Sequence, residues 1–230
     1  MIFGGIQKLT LLDYPEKTAC TIFTTGCNFK CPFCQNSSFI KPEEQVQTQS
    51  AAEMLDFLET RQGLLDGVCI SGGEPLLNDN LGEFITKVKE LGFLVKLDTN
   101  GSFPEKLKAL IEAGIIDYVA MDIKNSPKKY GKTIGLQHYD ILAIEESISI
   151  LKSNKIPYEF RTTVVKEFHS FDDLPEVAQW ISGTDKFYLQ GFIDSEGVSY
   201  SGLNGYSKEE MEGFLVEIKK LLPNAEIRGI

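Results

Sequence analysis

The sequence predicts an α/β fold built on a parallel β-sheet. Strand-like runs alternate with longer stretches of helical periodicity about six times along the chain, which is typical of repeated βα units. The 230 residues, 42% of them hydrophobic and 24% charged, are enough to bury one sizeable core. Because no linker, repeat or low-complexity tract divides them, we expect a single domain over residues 1–230. Periodicity alone leaves both a doubly wound sheet and a barrel open.

Six runs rich in β-branched and aromatic residues are predicted to be strands. In chain order they are Ala19–Thr24, Gly67–Ile70, Phe93–Leu97, Tyr118–Met121, Glu159–Val165 and Lys186–Leu189. A further short strand is a candidate at Ala225–Arg228.

Five other stretches repeat apolar residues every three to four positions, which is the period of an amphipathic helix. In chain order they are Ala51–Glu59, Leu81–Leu91, Leu107–Ala113, Ile141–Leu151 and Met211–Leu222. Most of them lie between two predicted strands, as helices do in βα units.

The composition narrows the partners and the cellular setting. A formal net charge of −10 disfavours a nucleic-acid partner, because an acidic surface repels phosphate groups. We find neither an export signal nor a membrane-spanning stretch, so we expect a cytoplasmic protein with no membrane partner. Five cysteines are present, and three of them fall within eight positions. An odd number crowded in this way favours metal binding over a disulfide framework.

The three crowded cysteines form the pattern Cys27-x3-Cys31-x2-Cys34 directly after the first predicted strand. Thiolates at this spacing can bind three irons of a [4Fe–4S] cluster and leave the fourth iron open. The alternative is a structural Cys3His zinc site, which would need His138 or His169 from far along the chain. The other two cysteines, Cys20 and Cys69, lie inside predicted strands and are expected to be buried apolar residues.

Polar residues also follow the later strands. The segment Ser71-Gly72-Gly73-Glu74-Pro75 follows the second strand, where two glycines allow close approach of a ligand and Glu74 adds a carboxylate. A simple strand-to-helix turn is the alternative. Further polar residues occupy the same position on the next strands: Asp98, Thr99 and Asn100, then Asp122 and Lys124, then Arg161 and Thr163, and finally Gln190. Ligands bind at this carboxyl-terminal edge in barrels and open sheets alike.

The cysteine pattern, followed by Gly72-Gly73-Glu74-Pro75, resembles the radical S-adenosylmethionine (SAM) superfamily over residues 15–225. The resemblance implies a partial (β/α)6 TIM-like barrel that is open on one side. The segments around Asp98 and Asp122 resemble glycyl-radical enzyme activating enzymes more narrowly. The opening residues 5–15 resemble activating proteins of anaerobic ribonucleoside-triphosphate reductase.

The resemblance also implies roles for individual residues. Three cysteines would hold the [4Fe–4S] cluster: Cys27, Cys31 and Cys34. Residues expected to bind SAM are Gly72, Gly73 and Glu74 at its amino group, with Asp98, Asn100, Lys124 and Arg161 elsewhere on the cofactor. Gln190 is a further candidate, on a strand where some activating enzymes carry a histidine nearby. Residues that match a Na⁺ or K⁺ site of one activating class are Asp98, Thr99 and Asp122.

The implied reaction is reductive cleavage of SAM at the cluster to a 5′-deoxyadenosyl radical. The radical would abstract a glycine Cα hydrogen from a partner glycyl-radical enzyme, expected to be anaerobic ribonucleoside-triphosphate reductase. A flavodoxin or ferredoxin-type protein is the expected reductant. Two alternatives stay open, namely a radical SAM enzyme acting on a small deazapurine or pterin precursor and a non-catalytic iron–sulfur electron carrier.

Overall fold

The computed structural model describes residues 1–40, 48–153, 155–195 and 197–230. In these ranges the strands are β1 (Ile2–Thr10), β2 (Ala19–Thr24), β3 (Gln49–Ser50), β4 (Gly67–Gly72), β5 (Leu94–Thr99), β6 (Tyr118–Asp122), β7 (Tyr158–Val164), β8 (Phe187–Gly191) and β9 (Glu226–Arg228). The helices are α1 (Ser37–Ile40), α2 (Ala51–Glu59), α3 (Leu81–Glu90), α4 (Pro104–Glu112), α5 (Tyr130–Thr133), α6 (Leu142–Lys152), α7 (Asp173–Trp180) and α8 (Lys208–Ile218). No helix in the described ranges is long and apolar enough to cross a membrane.

The strands form one sheet in the order β3-β1-β2-β4-β5-β6-β7-β8-β9. Strand β2 and strands β4 to β8 pair in parallel and follow one another in chain order. The expectation of an α/β partial (β/α)6 barrel is therefore confirmed. Strand β9 extends the parallel series, whereas β1 pairs antiparallel with β2. The expectation of a single domain stays a prediction.

All six predicted strands occur within a few residues of their expected positions, and the short terminal strand is present as β9. Two elements differ because local signals override the apolar period. Helix α8 begins at Lys208 because Ser207 and Glu210 form a capping box. Helix α4 begins at Pro104, since proline is well suited to the first helical position.

Among the elements that the sequence interpretation missed are strand β1 and helix α7. Strand β1 pairs with β2 through two register irregularities, so its buried residues do not alternate cleanly. Helix α7 is only eight residues long, and its apolar period is interrupted by Pro175.

Strand alternation gives the barrel an apolar outer face and a polar interior. On β5, Val95 and Leu97 are buried in the main core, while Asp98 on the opposite face lines a cavity inside the barrel. Strand β7 repeats the arrangement with Phe160 in the core and Arg161 in the cavity. Since side chains alternate between faces along a strand, parallel strands collect their polar residues at one end of the barrel.

Candidate active site

A cavity of about 320 Å³ lies at the carboxyl-terminal ends of the barrel strands. It brings together residues that the sequence places on separate segments. Its lining includes Cys27, Cys31, Cys34, Gly72, Gly73, Asp98, Thr99, Asn100, Asp122, Lys124, Arg161 and Gln190. Of the residues predicted for the site, Glu74 alone is absent from this lining.

The cysteine-containing loop, residues 25–36 between β2 and α1, is held from two sides. The Lys30 amide donates to the carbonyl of Ile134 at 2.9 Å. The amides of Ser199 and Tyr200 donate to the carbonyls of Cys34 and Pro32 at 3.2 and 3.1 Å. These backbone bonds fix the loop at the cavity wall, so the three thiols line one space.

The thiols lie in a buried setting beside a positive charge. Burial raises the pKa of Cys27 to about 11 and that of Cys31 to about 12, while the Lys124 ammonium group lowers both. A nearby cation favours the thiolate form that binds metals. Three thiols on one loop are the donor set expected for three irons of a [4Fe–4S] cluster, so the residues fit that group.

The zinc alternative receives no support from the two histidines. The Nε2 atom of His169 lies 2.7 Å from the Lys124 carbonyl oxygen, and its Nδ1 atom accepts from the Val165 amide at 3.1 Å. Both ring nitrogens of His169 are therefore engaged with backbone groups. His138 lies exposed on the surface.

The Gly72-Gly73 segment packs against the cysteine-containing loop. A Cβ atom on Gly73 would come within 1.9 Å of the Gly26 carbonyl oxygen, and Gly72 has a φ of +108°. The amides of Gly73 and Glu74 donate to the carbonyls of Thr24 and Gly26 at 3.0 and 2.8 Å. The glycines are thus required for contact between the two loops, and their binding to a cofactor stays a prediction.

Glu74 lies behind the cavity wall and is fully buried. Its carboxylate accepts from the Leu76 amide at 3.0 Å, from the Thr99 hydroxyl at 2.8 Å and from the Asn100 amide at 2.7 Å. Burial raises its pKa to about 7 although these three bonds favour the ionised form. The carboxylate therefore joins the loop that contains Gly72 and Gly73 to the end of β5. The contact of Glu74 with the cofactor amino group stays a prediction.

Five charged side chains form a continuous chain of alternating sign, which we call the charge chain: Lys96, Asp98, Arg161, Asp122 and Lys124. Lys96 bonds Asp98, and the Arg161 Nη1 atom lies 3.3 Å from the Asp98 Oδ2 atom. The Arg161 Nε atom donates to Asp122 Oδ1 at 3.0 Å, and the Lys124 Nζ atom donates to Asp122 Oδ2 at 2.9 Å. Burial would raise the pKa of both carboxyl groups, but the neighbouring cations outweigh it and hold each pKa below its usual range.

The charge chain bears on the expected Na⁺ or K⁺ site. Arg161 is the positive group between Asp98 and Asp122, and the carboxylate oxygens of both already bond cationic side chains. Thr99 directs its hydroxyl to Glu74. As placed, these residues do not fit an additional hard cation, which needs several free oxygen ligands.

Asn100 and Gln190 have different surroundings. The Asn100 Nδ2 atom donates to Asn28 Oδ1 at 3.0 Å, and its Oδ1 atom accepts from the Ser102 amide at 2.9 Å. Asn100 therefore joins the end of β5 to the cysteine-containing loop. Gln190 accepts a long hydrogen bond from the Thr163 hydroxyl at 3.4 Å.

Among the polar residues of the lining that sequence reasoning did not assign to the cavity are Gln7, Asp13 and Thr21. The Thr21 hydroxyl donates to the Asp13 carboxylate at 2.5 Å. Gln7 pairs with Thr21 across β1 and β2, so the two side chains share one face of the sheet. The sequence feature that could have identified Gln7 and Asp13 is the resemblance of residues 5–15, the segment that contains both.

Comparisons with known proteins agree with this geometry. A sequence profile described as the Radical SAM superfamily matches residues 21–181. A protein of Methanocaldococcus jannaschii, which carries the provisional name of glycyl-radical enzyme activating enzyme, is 34% identical over all of this chain and 96% of its own length. A pyruvate formate-lyase-activating enzyme of Listeria monocytogenes is 35% identical over 48% of this chain and 49% of its own.

Among solved structures, SuiB of Streptococcus suis bound to precursor peptide SuiA superposes with a TM-score of 0.70 at 14% identity. The match covers 91% of this chain, which spans about half of that protein (48%). At this identity the similarity concerns the fold alone.

Proposed function

The chain belongs to the radical SAM superfamily, and we propose that it activates a glycyl-radical enzyme by removing a hydrogen atom from one glycine Cα. The observation that carries the proposal is the single cavity in which three cysteines, the Gly72-Gly73 segment and the charge chain meet. The full-length similarity to a protein named as an activating enzyme supports the same reaction.

In this proposal the cysteine-containing loop holds a [4Fe–4S] cluster through Cys27, Cys31 and Cys34. When bound, the cluster and SAM supply the one-electron chemistry that removes a hydrogen atom. The chain's own residues position these groups, and Asn100 and Glu74 contribute by fixing the cysteine-containing loop and the Gly72-Gly73 loop relative to β5. A misplacement of about 1 Å at such a site can cost about 100-fold in rate.

Arg161 and Lys124 provide positive charge at the cavity wall, where they can bind the SAM carboxylate. Burial makes these interactions stronger than they would be in water. Gly72 and Gly73 are proposed to bind the amino group, and Gln190 to contact the cofactor from β8. Each of these contacts is a proposal that rests on the placement of the residues around one cavity.

The glycine target implies that an extended peptide reaches the cavity. Gln7 and Asp13 supply an amide and a carboxylate at the wall next to β1, and such groups can hydrogen-bond peptide amides. The partner is proposed to be anaerobic ribonucleoside-triphosphate reductase, since the segment with both residues resembles its activating proteins. A flavodoxin or ferredoxin-type protein is proposed as the reductant.

Electron paramagnetic resonance tests the reaction directly. The reduced, reconstituted protein should be mixed with SAM and a glycyl-radical protein encoded beside it, and we expect a doublet radical signal. Deuterium at the target glycine α-position should collapse the doublet and appear in 5′-deoxyadenosine. The Cys31→Ala protein is the matched control and should give no signal.

Two results would contradict activation. If a small purine or pterin stimulates SAM cleavage strongly while no protein gives a doublet, the chain acts on a small molecule. If the cluster transfers electrons without binding or cleaving SAM, the chain is an electron carrier.

A further inference from the structure

Lys96 is a fully buried lysine in the middle of β5, below the residues that line the cavity. Its ammonium group bonds the Asp98 carboxylate, and the Cys69 Sγ atom lies 3.8 Å from the same nitrogen. A buried ammonium group strongly destabilises a fold unless it is paired. An apolar residue at this strand position would itself have no desolvation cost, so the presence of a charge requires an explanation.

Lys96 changes the balance of the charge chain. With it, three cations share two carboxylates, which leaves one unit of positive charge. Without it, Arg161 and Lys124 would be neutralised by Asp98 and Asp122. An anionic ligand would then have to displace a carboxylate from its partner, and a displaced buried carboxylate is costly.

Three other acidic groups lie near the charge chain, and none of them forms an ion pair with one of its cations in the described ranges. The Cys69 thiol is neutral because burial raises its pKa well above the usual range. Glu159 lies on the same face of β7 as Arg161 but is paired with Arg228 through two contacts of 2.9 and 3.3 Å. Asp13 also lines the cavity, but its carboxylate is held by the Thr21 hydroxyl and forms no ion pair with the charge chain in the described ranges.

We propose that Lys96 is the permanent counter-cation of Asp98 and leaves Arg161 available to an incoming carboxylate without a bound alkali cation. Lys96 is thus a positioning residue that acts through Asp98 and Arg161. The identity of the ligand as the carboxylate of SAM rests on the proposed function. The misfit of a hard cation at Asp98, Thr99 and Asp122 has the same cause, because protein cations already bond both carboxylates.

The test is SAM binding by calorimetry to the reconstituted protein, in a tetramethylammonium buffer and in Na⁺ or K⁺ buffers of equal ionic strength. Wild-type affinity should change less than about twofold between buffers. Lys96→Met keeps the length but removes the charge, and should bind about tenfold more weakly in tetramethylammonium and recover with alkali cations. The double variant Lys96→Met/Asp98→Asn removes both partners, and its affinity should be the same in every buffer, because no unpaired carboxylate is left for an alkali cation. Lys108→Met, on the exposed face of α4, is the surface control.

A second arm does not depend on SAM. Alkali cations should raise the melting temperature of the Lys96→Met protein but not that of wild type, because the variant leaves an Asp98 oxygen without its protein cation and an alkali cation can pair with it. Alkali-dependent affinity or melting of the wild-type protein overturns the proposal, as does wild-type behaviour of Lys96→Met. If Lys96→Met does not fold, the wild-type titrations decide. Wild-type protein that binds no SAM contradicts the proposed function, and the melting comparison then still decides the role of Lys96.

Discussion

The charge chain and a second group of paired charges, on β7 and β9, differ in balance and in access. The charge chain has one more cation than carboxylates, and four of its five members line the cavity. The second group, which we call the basal pair, is Glu159 with Arg228. It is balanced one to one, receives the Tyr118 hydroxyl at 3.0 Å and lies outside the cavity lining.

The difference separates a binding role from a structural role. A balanced bidentate pair such as Glu159–Arg228 joins β7 to β9 and leaves no charge for a ligand. The charge chain has one cation more than carboxylates beside the cavity, so an anionic ligand is needed to balance its charge. Substitutions in the charge chain should therefore mainly weaken ligand binding. Substitutions in the basal pair should mainly lower the free energy of unfolding.

The largest effect is expected at the cysteines. Cys31→Ala should abolish the cluster, because the remaining two thiols cannot hold it, and iron in the reconstituted protein should fall from about four per chain to background. Cys20 is buried in β2 away from the cavity, and Cys20→Ala should retain the iron. Iron and sulfide analysis measures both. A full cluster in Cys31→Ala would show that Cys31 does not hold the cluster.

Substitutions of Arg161 and Arg228 test whether the charge chain serves binding and the basal pair serves stability. Arg161→Met should weaken SAM binding about 100-fold with little loss of stability, since Lys96 and Lys124 still pair with Asp98 and Asp122. Arg228→Met should lower the free energy of unfolding by about 3 kcal/mol, because Glu159 stays buried without its cation. Its SAM affinity should not change. Calorimetry and urea unfolding measure the pair, and an exchange of these phenotypes would contradict the division of roles.

The contact between the two loops is tested by a pair of glycine variants. Gly73→Ala should lower the free energy of unfolding by about 2 kcal/mol and reduce iron uptake, because its Cβ would meet the Gly26 carbonyl. Gly213→Ala lies in helix α8 with nothing near its added Cβ. It should stabilise the protein by about 0.5–1 kcal/mol. Normal iron uptake by Gly73→Ala would show that the loops do not depend on each other.

A further prediction concerns the pH dependence of stability through Glu74. Its pKa is raised from the ordinary value of 4.5 to about 7 in the folded protein, so folding takes up a proton between these values. The stability that wild type has relative to Glu74→Gln should therefore be lost as pH rises from 4.5 to about 7, by about 1–3 kcal/mol, and be constant above. Urea unfolding at several pH values measures the difference. A difference that grows with pH would show that the bonds to Thr99 and Asn100 dominate over burial.

The sequence was sufficient to predict the barrel strands and most of the cavity. Asp98 and Asp122 could be placed at one edge because each follows or ends a predicted strand of a parallel sheet, and Arg161 because it lies on the next strand. That Arg161 lies between the two carboxylates depends on the register of β6 with β7, in which Asp122 is opposite Arg161. A single sequence does not specify that register.

Other features had no local signal. Lys96 stands in the middle of a predicted strand, and its pairing with Asp98 follows only from the strand's inward face. Gln7 and Asp13 reach the cavity through the antiparallel strand β1 and the segment after it, where the apolar alternation is broken. Glu74 was predicted at the rim but lies behind it, because Thr99 and Asn100 bond its carboxylate.

Binding of SAM at the open iron of the cluster is tested most simply by the electron paramagnetic resonance spectrum of the reduced cluster before and after SAM is added. We expect a [4Fe–4S] signal that changes markedly with SAM in wild type, because three cysteines leave one iron open to the cofactor. In Arg161→Met the same signal should be present before SAM is added, and the change should need far more SAM. A cluster signal in wild type that SAM leaves unchanged at saturating concentration would contradict the central claim.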